Sequence, residues 1–172
     1  GSDSDEIIFT SGATEANNLA LIGLARRASG GSRSRILLGA TEHKCTLEIG
    51  RVLRDELGFT VSHIPVDSVG RIDLAALEDC LSDEVLLVSV MAANNEVGTL
   101  QDIPTISRLA AHHGALLHCD GAQAPGAIDL SDFAQHVDML SLSGHKMYAQ
   151  MGIGALYVRR DLQSQIAPII HG

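Results

Sequence analysis

Seven short apolar runs alternate with amphipathic helical stretches along this chain of 172 residues, and that order leaves few possible folds. The runs predicted to be strands are 7–9, 36–38, 59–65, 85–90, 115–119, 139–142 and 154–158. Helices are predicted between the first five strands, over residues 15–29, 46–56, 73–81 and 104–113. Parallel neighbours need such crossovers, so we expect an α/β domain with a mainly parallel seven-stranded sheet and helices on both faces. A loop without a helix joins the last two strands, so the seventh strand can run antiparallel.

The composition excludes several classes of protein. Acidic residues outnumber basic ones by 21 to 12, and a net charge of −9 argues against binding to nucleic acid. No apolar run approaches a membrane-spanning length, and no signal peptide is recognisable. Cys45, Cys80 and Cys119 are odd in number and widely spaced, which favours a reducing, cytoplasmic location. Of the 12 basic residues only Lys44 and Lys146 are lysines, so chemistry that needs a lysine amine has two candidates.

Chemically useful residues follow the predicted strands, at the end of the sheet where α/β proteins bind ligands. Ser11, Gly12, Ala13 and Thr14 follow the first strand and open a helix, whose free N–H groups and positive dipole end can hold a phosphate. An ordinary helix cap by Ser11 or Thr14 explains this segment more simply when it is taken alone. The segment is neither a P-loop nor a dinucleotide-binding fingerprint, because the required lysine and glycine spacings are absent.

Two further strand ends carry candidate ligand-binding side chains. His43 follows the second strand and is a flat ring in a chain with only 3% aromatic residues, although a histidine there is often a plain loop residue. Asn95 follows the fourth strand, where its amide either reaches a ligand oxygen or forms a turn. Both positions therefore keep a binding interpretation and a structural one.

Asp120 ends the fifth strand, and Gln123 follows three residues later. An unpaired buried charge is costly, so a positive ligand nitrogen would account for Asp120, and a capping role accounts for it about equally well. A metal site is disfavoured, because His118 and Asp120 face the opposite side of the strand from Cys119. No Cys-x-x-Cys or His-x-x-x-His spacing occurs either, and we expect no metal.

Lys146 follows the sixth strand in the segment Ser143-Gly144-His145-Lys146. After an apolar strand and beside a histidine, its amine is expected to be desolvated and nucleophilic. The Ser-x-x-Lys spacing also occurs in penicillin-recognising acylases, but their Lys-Thr-Gly and Ser-Asp-Asn segments are absent here. Together, the strand ends offer a phosphate cradle, a carboxylate for a ring nitrogen, a flat ring and a lysine for an aldehyde. Pyridoxal phosphate needs this combination.

The segments SGATEANNLA, TEHK, NNEVGTLQDI, DGAQ and SGHKMY resemble, over essentially the whole chain, those of the cysteine desulfurases. These are fold-type-I pyridoxal-phosphate enzymes of the class V aminotransferase group. The resemblance implies that Lys146 forms the Schiff base with pyridoxal 5'-phosphate and that His43 stacks on its ring and moves protons. It also implies that Asp120 pairs with the pyridinium nitrogen, Gln123 with the ring 3-oxygen and Asn95 with the substrate carboxylate. The phosphate ligands that it implies are Ala13, through its amide, Thr14, Ser143 and His145.

The same resemblance implies a domain assignment. Residues 1–172 would be the cofactor-binding large domain, truncated at both ends, with the small C-terminal domain absent. In the family that small domain carries an arginine for the substrate carboxylate and a persulfide-forming cysteine, which Cys45, Cys80 and Cys119 do not match. The family usually has a proline-containing turn where this chain has residues 149–152, so we expect a looser loop there.

Three interpretations of function remain at this point. The first is a pyridoxal-phosphate-dependent cysteine desulfurase, which converts L-cysteine to L-alanine and passes the sulfur to a cysteine persulfide, with this chain as its cofactor domain and inactive alone. The second is a related class V lyase or aminotransferase, such as a selenocysteine lyase. The third is a non-catalytic truncated domain that acts as an assembly module. The resemblance further implies a homodimer, a role in iron–sulfur cluster biogenesis, and a sulfur-acceptor or iron–sulfur scaffold protein as partner.

Overall fold

The computed structural model describes residues 2–126 and 128–171, and within them strands and helices alternate as the sequence predicts. The strands are β1 (Ile7–Thr10), β2 (Arg35–Gly39), β3 (Thr60–Ile64), β4 (Val85–Met91), β5 (Leu116–Asp120), β6 (Met139–Ser143) and β7 (Gly154–Val158). The α-helices are α1 (Ala13–Ala28), α2 (Lys44–Asp55), α3 (Leu74–Cys80) and α4 (Ile103–His112). Short 3₁₀ segments lie at Ser4–Glu6, Phe133–Gln135, Gly144–Lys146 and Arg160–Gln165.

All seven strands form one sheet in the order β1-β7-β6-β5-β4-β2-β3. Neighbouring strands from β3 to β6 are parallel, and β7 runs antiparallel to both β6 and β1. The mainly parallel seven-stranded sheet is therefore confirmed. The loop that joins β6 to β7 reverses the chain direction, whereas each of the four connections from β1 to β5 carries an α-helix across the sheet.

Two apolar cores cover the two faces of the sheet, as expected for helices on both sides. Helices α1 and α2 pack on one face with side chains such as Leu21 and Leu53, and α3 and α4 pack on the other with Leu77 and Ile106. Every residue of β4 is buried, because this central strand is covered on both faces. Each fully buried leucine or isoleucine contributes about 1.5–3 kcal/mol, so the cores hold the strand ends in place.

The start of α1 differs from the simple cap considered for Ser11 or Thr14. The helix begins at Ala13, its N-cap is Gly12, and no side chain caps it. Ser11 instead donates its N–H and its hydroxyl to Glu15 Oε2, over 2.8 and 2.6 Å, so its oxygen is turned away from the helix amides. These two bonds lower the pKa of the Glu15 carboxyl. The capping interpretation is wrong, and the first N–H groups of α1 have no intrahelical acceptor.

The remaining helix boundaries follow ordinary capping chemistry. Asp102 caps α4 by accepting the Thr105 N–H over 3.1 Å, and Pro104 lies in the first turn, as predicted. Gly114 follows the helix with a positive φ of 66°. Among the helices of the described residues, none combines the length and the apolar character that crossing a membrane requires.

Candidate active site

A cleft of about 450 Å³ opens at the carboxyl ends of β4, β5 and β6, against the start of α1. The structure brings together in its wall all nine residues that the sequence singled out: Ala13, Thr14, His43, Asn95, Asp120, Gln123, Ser143, His145 and Lys146. They come from five separate stretches of chain, which the sheet order places side by side. The carboxyl ends of parallel strands meet at one edge of the sheet, and this convergence is the reason that the cleft forms there.

The amino-terminal end of α1 forms one side of the cleft. Ala13 and Thr14 are its first two helical residues, and the helix dipole leaves partial positive charge at this end. Thr10 holds the preceding turn by donating its hydroxyl to the Gly12 carbonyl over 3.0 Å. Gly154 of β7 packs directly against this turn, because a Cβ at Gly154 would lie 2.5 Å from Gly12 Cα. The turn is therefore fixed on one side by the Thr10 hydrogen bond and on the other by close packing of β7 at Gly154.

Ser143, His145 and Lys146 form the adjoining wall, where β6 passes into a 3₁₀ turn. The Ser143 hydroxyl and His145 Nδ1 lie 3.0 Å apart and share a hydrogen bond. Gly144 makes the turn possible, since a Cβ there would lie 2.8 Å from the Ile153 carbonyl oxygen. The side chain of Lys146 is exposed, so the desolvation expected from its place after an apolar strand does not occur. The 3₁₀ turn lifts it out of the sheet edge into the open cleft.

Asp120 lies at the floor of the cleft and is only 3% exposed. Its Oδ1 accepts the Ala122 N–H over 2.9 Å, and its Oδ2 accepts Asn17 Nδ2 over 2.8 Å. The capping role therefore exists but occupies one oxygen only. Across residues 2–126 and 128–171, no cationic side chain forms an ion pair with Asp120. A buried carboxylate with two hydrogen bonds and no cation favours a positively charged ligand.

A second buried carboxyl, Glu42, lies near Asp120. Its Oε1 accepts the Met91 N–H over 2.6 Å, and Met91 is the register partner of Asp120 on the neighbouring strand. Burial raises the pKa of Glu42 well above its usual range, and the charge of Asp120 raises it further. Burial therefore drives Glu42 towards the neutral form.

His118 has a structural role below Asp120, on the same face of β5. Its Nδ1 lies 2.8 Å from the Ser89 hydroxyl and its Nε2 lies 3.0 Å from the Ser141 hydroxyl. The side chain is fully buried, and burial lowers the pKa of His118 to about 3. The neutral imidazole thus joins β4, β5 and β6. Within the described residues, no cluster of histidine, cysteine and acidic side chains suits a metal ion.

His43 and Asn95 complete the mouth of the cleft. His43 caps α2 by accepting the Cys45 N–H at Nδ1 over 3.2 Å, which places the proton of the neutral ring on Nε2. Lys44 begins α2 with an exposed side chain. Asn94 forms the turn after β4. Its Oδ1 accepts the backbone N–H groups of Glu96 and Val97, over 2.9 and 3.0 Å. Asn95 is exposed in the cleft wall, and its side-chain amide does not form the turn.

The family model described as aminotransferase class-V matches residues 1–172. The chain belongs to this family. Its members are pyridoxal-phosphate-dependent enzymes, and the architecture above is the fold-type-I α/β fold.

Relatives and solved structures agree with this assignment. The chain is 45% identical over 172 residues to the mitochondrial cysteine desulfurase of Drosophila melanogaster, and 42% identical to the cysteine desulfurase IscS of Rickettsia felis. All of this chain is covered, against 37% and 42% of those proteins. Among solved structures, SspA in complex with cysteine matches with a TM-score of 0.89 at 39% identity, over 49% of its length. DndA from Streptomyces lividans matches with 0.91 at 38% identity, also over 49%. This chain thus spans less than half the length of each.

The cleft fits pyridoxal phosphate on three observations. Asp120 is a buried anion with no cationic partner in the described chain, and a protonated ring nitrogen is such a partner. The start of α1 has no side-chain cap, which leaves its N–H groups for a phosphate. Lys146 is an exposed amine in the same cleft. The cleft therefore offers an anion for the ring nitrogen, N–H groups for the phosphate and an amine for the aldehyde.

Three residues of this region had no assigned role in the sequence. Asn17 and Cys45 line the cleft, and Glu42 lies behind it. Asn17 was detectable in principle, because it is a polar residue within the buried stripe of α1 that also contains Ala16 and Ala20. A polar side chain in such a stripe needs a partner, but the sequence does not tell which one.

Proposed function

We propose that this chain is the pyridoxal-phosphate-binding large domain of a cysteine desulfurase. The observation that carries the proposal is the buried Asp120 carboxylate, which has no ion-pair partner among the described residues and faces a cleft that also contains Lys146 and the start of α1. The desulfurase names of the relatives support the choice of substrate, L-cysteine. A related class V lyase and a non-catalytic assembly module have less support, because no observation favours them.

The proposed roles follow the positions of the side chains. Lys146 holds the cofactor covalently, and Asp120 keeps the ring nitrogen protonated. When bound, the cofactor withdraws electrons from the substrate and makes its Cα proton removable. His43 lies against the ring and exchanges a proton through Nε2, since Nδ1 is engaged with the Cys45 N–H. Gln123 binds the ring oxygen and Asn95 the substrate carboxylate.

The phosphate is the second anchor in the proposal. The Ala13 amide and the Thr14 side chain offer donors at the positive end of α1. Ser143 and His145 face the same space and are already joined to one another over 3.0 Å. This pairing holds both side chains in place before the phosphate arrives, which reduces the ordering cost of binding.

The proposal extends to the cellular role. We infer a cytoplasmic homodimer that passes sulfur to an acceptor or scaffold protein for iron–sulfur clusters, as the likeness to IscS suggests. The loop between β6 and β7 supports an interface, because its apolar side chains Tyr148, Met151 and Ile153 are exposed beside the cleft.

The two lysines of the chain allow a decisive test. Pyridoxal phosphate added to the purified protein should give an absorbance band at the edge of the visible range, and borohydride should then fix the label on the peptide that contains Lys146. Lys146→Ala should lose both signals, whereas the matched control Lys44→Ala should keep them. Labelling of Lys44, or a band that persists in Lys146→Ala, would refute the assignment. Because this domain is expected to be inactive alone, release of alanine and sulfide from L-cysteine tests the substrate in a protein that also contains the small domain.

A further inference from the structure

Asn17 holds a connecting position behind the cleft. It lies in the second turn of α1 and is fully buried. Its Nδ2 donates one hydrogen to Asp120 Oδ2 over 2.8 Å and the other to Cys45 Sγ over 3.3 Å. One amide therefore links α1, β5 and α2 at the point where Asp120 meets the cleft.

Hydrogen-bond polarity determines which atom of the Asn17 amide faces Asp120. An ionised Asp120 oxygen only accepts hydrogen bonds, so an Asn17 oxygen placed against it would bring two acceptors together. Nδ2 must therefore face Asp120, and Asn17 Oδ1 faces away. That oxygen is buried and, in the described part of the chain, makes no hydrogen bond, although Asn17 lines the cleft. Leaving a buried acceptor unpaired costs free energy, so the contact between Asn17 and Asp120 is maintained against a penalty.

The two hydrogen bonds on Asp120 come from different directions. Ala122 N–H binds Oδ1 from the loop after β5, and Asn17 binds Oδ2 from α1. With a donor on each oxygen, rotation of the carboxylate breaks at least one bond. The Ala122 bond alone leaves the other oxygen free to turn.

We propose that Asn17 is a positioning residue, which orients the charged Asp120 carboxylate towards the ring nitrogen of the cofactor. This inference rests on the function proposed above. If Asn17 positions Asp120, replacing Asn17 should change only the contact between Asp120 and the ring nitrogen of the cofactor. A purely structural link between α1 and the sheet would instead affect every ligand of the cleft equally.

A comparison of two ligands separates these roles. The probes are pyridoxal phosphate and its 1-deaza analogue, in which carbon replaces the ring nitrogen, titrated calorimetrically into the purified protein. Asn17→Asp keeps the shape of the side chain but sets a second carboxyl against Asp120. Asn18→Asp is the matched control, because it adds the same charge one residue along α1, where Asn18 bonds only the Thr14 carbonyl.

The unsubstituted protein and Asn18→Asp should both prefer pyridoxal phosphate to the analogue. In Asn17→Asp this preference should fall about tenfold to a hundredfold, the range for losing one hydrogen bond to a charged group. A preference that stays the same overturns the positioning role, whether both affinities fall together or neither changes. An unsubstituted protein that binds neither ligand would overturn the proposed function as well, so the two failures are distinguishable.

A second variant protects the test against misfolding. If Asn17→Asp loses its cooperative thermal transition by circular dichroism, Asn17→Ala replaces it in the same comparison. Asn17→Ala removes the donor without adding charge, and it should reduce the preference for pyridoxal phosphate in the same direction. An undiminished preference in Asn17→Ala overturns the proposal.

Discussion

Replacing His118 with glutamine should change how the stability of the protein depends on pH. The imidazole is fully buried between two serine hydroxyls, and burial lowers the pKa of His118 to about 3, from about 6.5 in an unfolded chain. The unfolded chain therefore binds one more proton than the folded protein between these two values. Stability from this residue is complete above about pH 6.5 and is lost as the pH falls.

The magnitude follows from that difference in pKa. Each pH unit inside the window costs about 1.4 kcal/mol, so the folded protein loses about 2 kcal/mol through His118 by pH 5. Glutamine does not titrate and removes this loss. At pH 7.5, His118→Gln should itself destabilise the protein by about 1–3 kcal/mol, because a bond to Ser89 or Ser141 is broken. The difference in stability between the two proteins should then shrink by about 2 kcal/mol at pH 5.

Urea denaturation followed by circular dichroism, at pH values from 5 to 7.5, measures this difference directly. Comparing the two proteins at each pH cancels the titration of all other groups. His112→Gln, which removes an exposed imidazole, is the control and should leave the pH dependence unchanged. A stability difference for His118→Gln that is the same at every pH would show that the histidine is not held neutral by burial.

Two other substitutions test the cleft. Asp120→Asn should raise the thermal midpoint of the cofactor-free protein, because it removes a buried charge without a cation, and should weaken pyridoxal-phosphate binding about tenfold or more. Calorimetry on the same samples checks both halves, and an unchanged affinity would contradict the role of the carboxylate. Gly154→Ala should cost about 1–3 kcal/mol in urea denaturation, because its Cβ would lie 2.5 Å from Gly12 Cα. A change below about 0.5 kcal/mol would mean that β7 moves away from the turn without strain.

The sequence predicted the strands well because short-range patterns determine them. The continuous apolar run 85–90 is a central strand, and the candidate residues after the first, second, fourth, fifth and sixth runs lie together at the sheet edge. The order of the strands in the sheet could not be predicted from the sequence, because the pairing of β1 with β7 depends on contacts between distant parts of the chain. The exposure of Lys146 was mispredicted for a related reason, because the path of the following loop decides it.

Buried polar partners were equally hard to predict. Asn17 forms a hydrogen bond with Asp120, which lies 103 positions further along the chain, and short-range patterns do not predict such a pair. His118 was considered as a metal ligand, and the structure places it between Ser89 and Ser141 instead. In both cases the residue type showed that a partner was needed, but only the packing of α1 and the sheet shows which partner it is.

The pairing of β1 with β7 sets a late step in the formation of the cleft during synthesis. Ile7 is opposite Tyr157, and Thr10 is opposite Gly154, so the first strand has no neighbour in the sheet until almost the whole described chain exists. At a ribosomal rate of about 5–20 residues per second, that wait lasts on the order of ten seconds. Through this interval the turn between β1 and α1 lacks its contact with Gly154. Under the proposed function, phosphate binding at this turn is therefore a late event, because the first strand stays unpaired in the sheet until β7 exists.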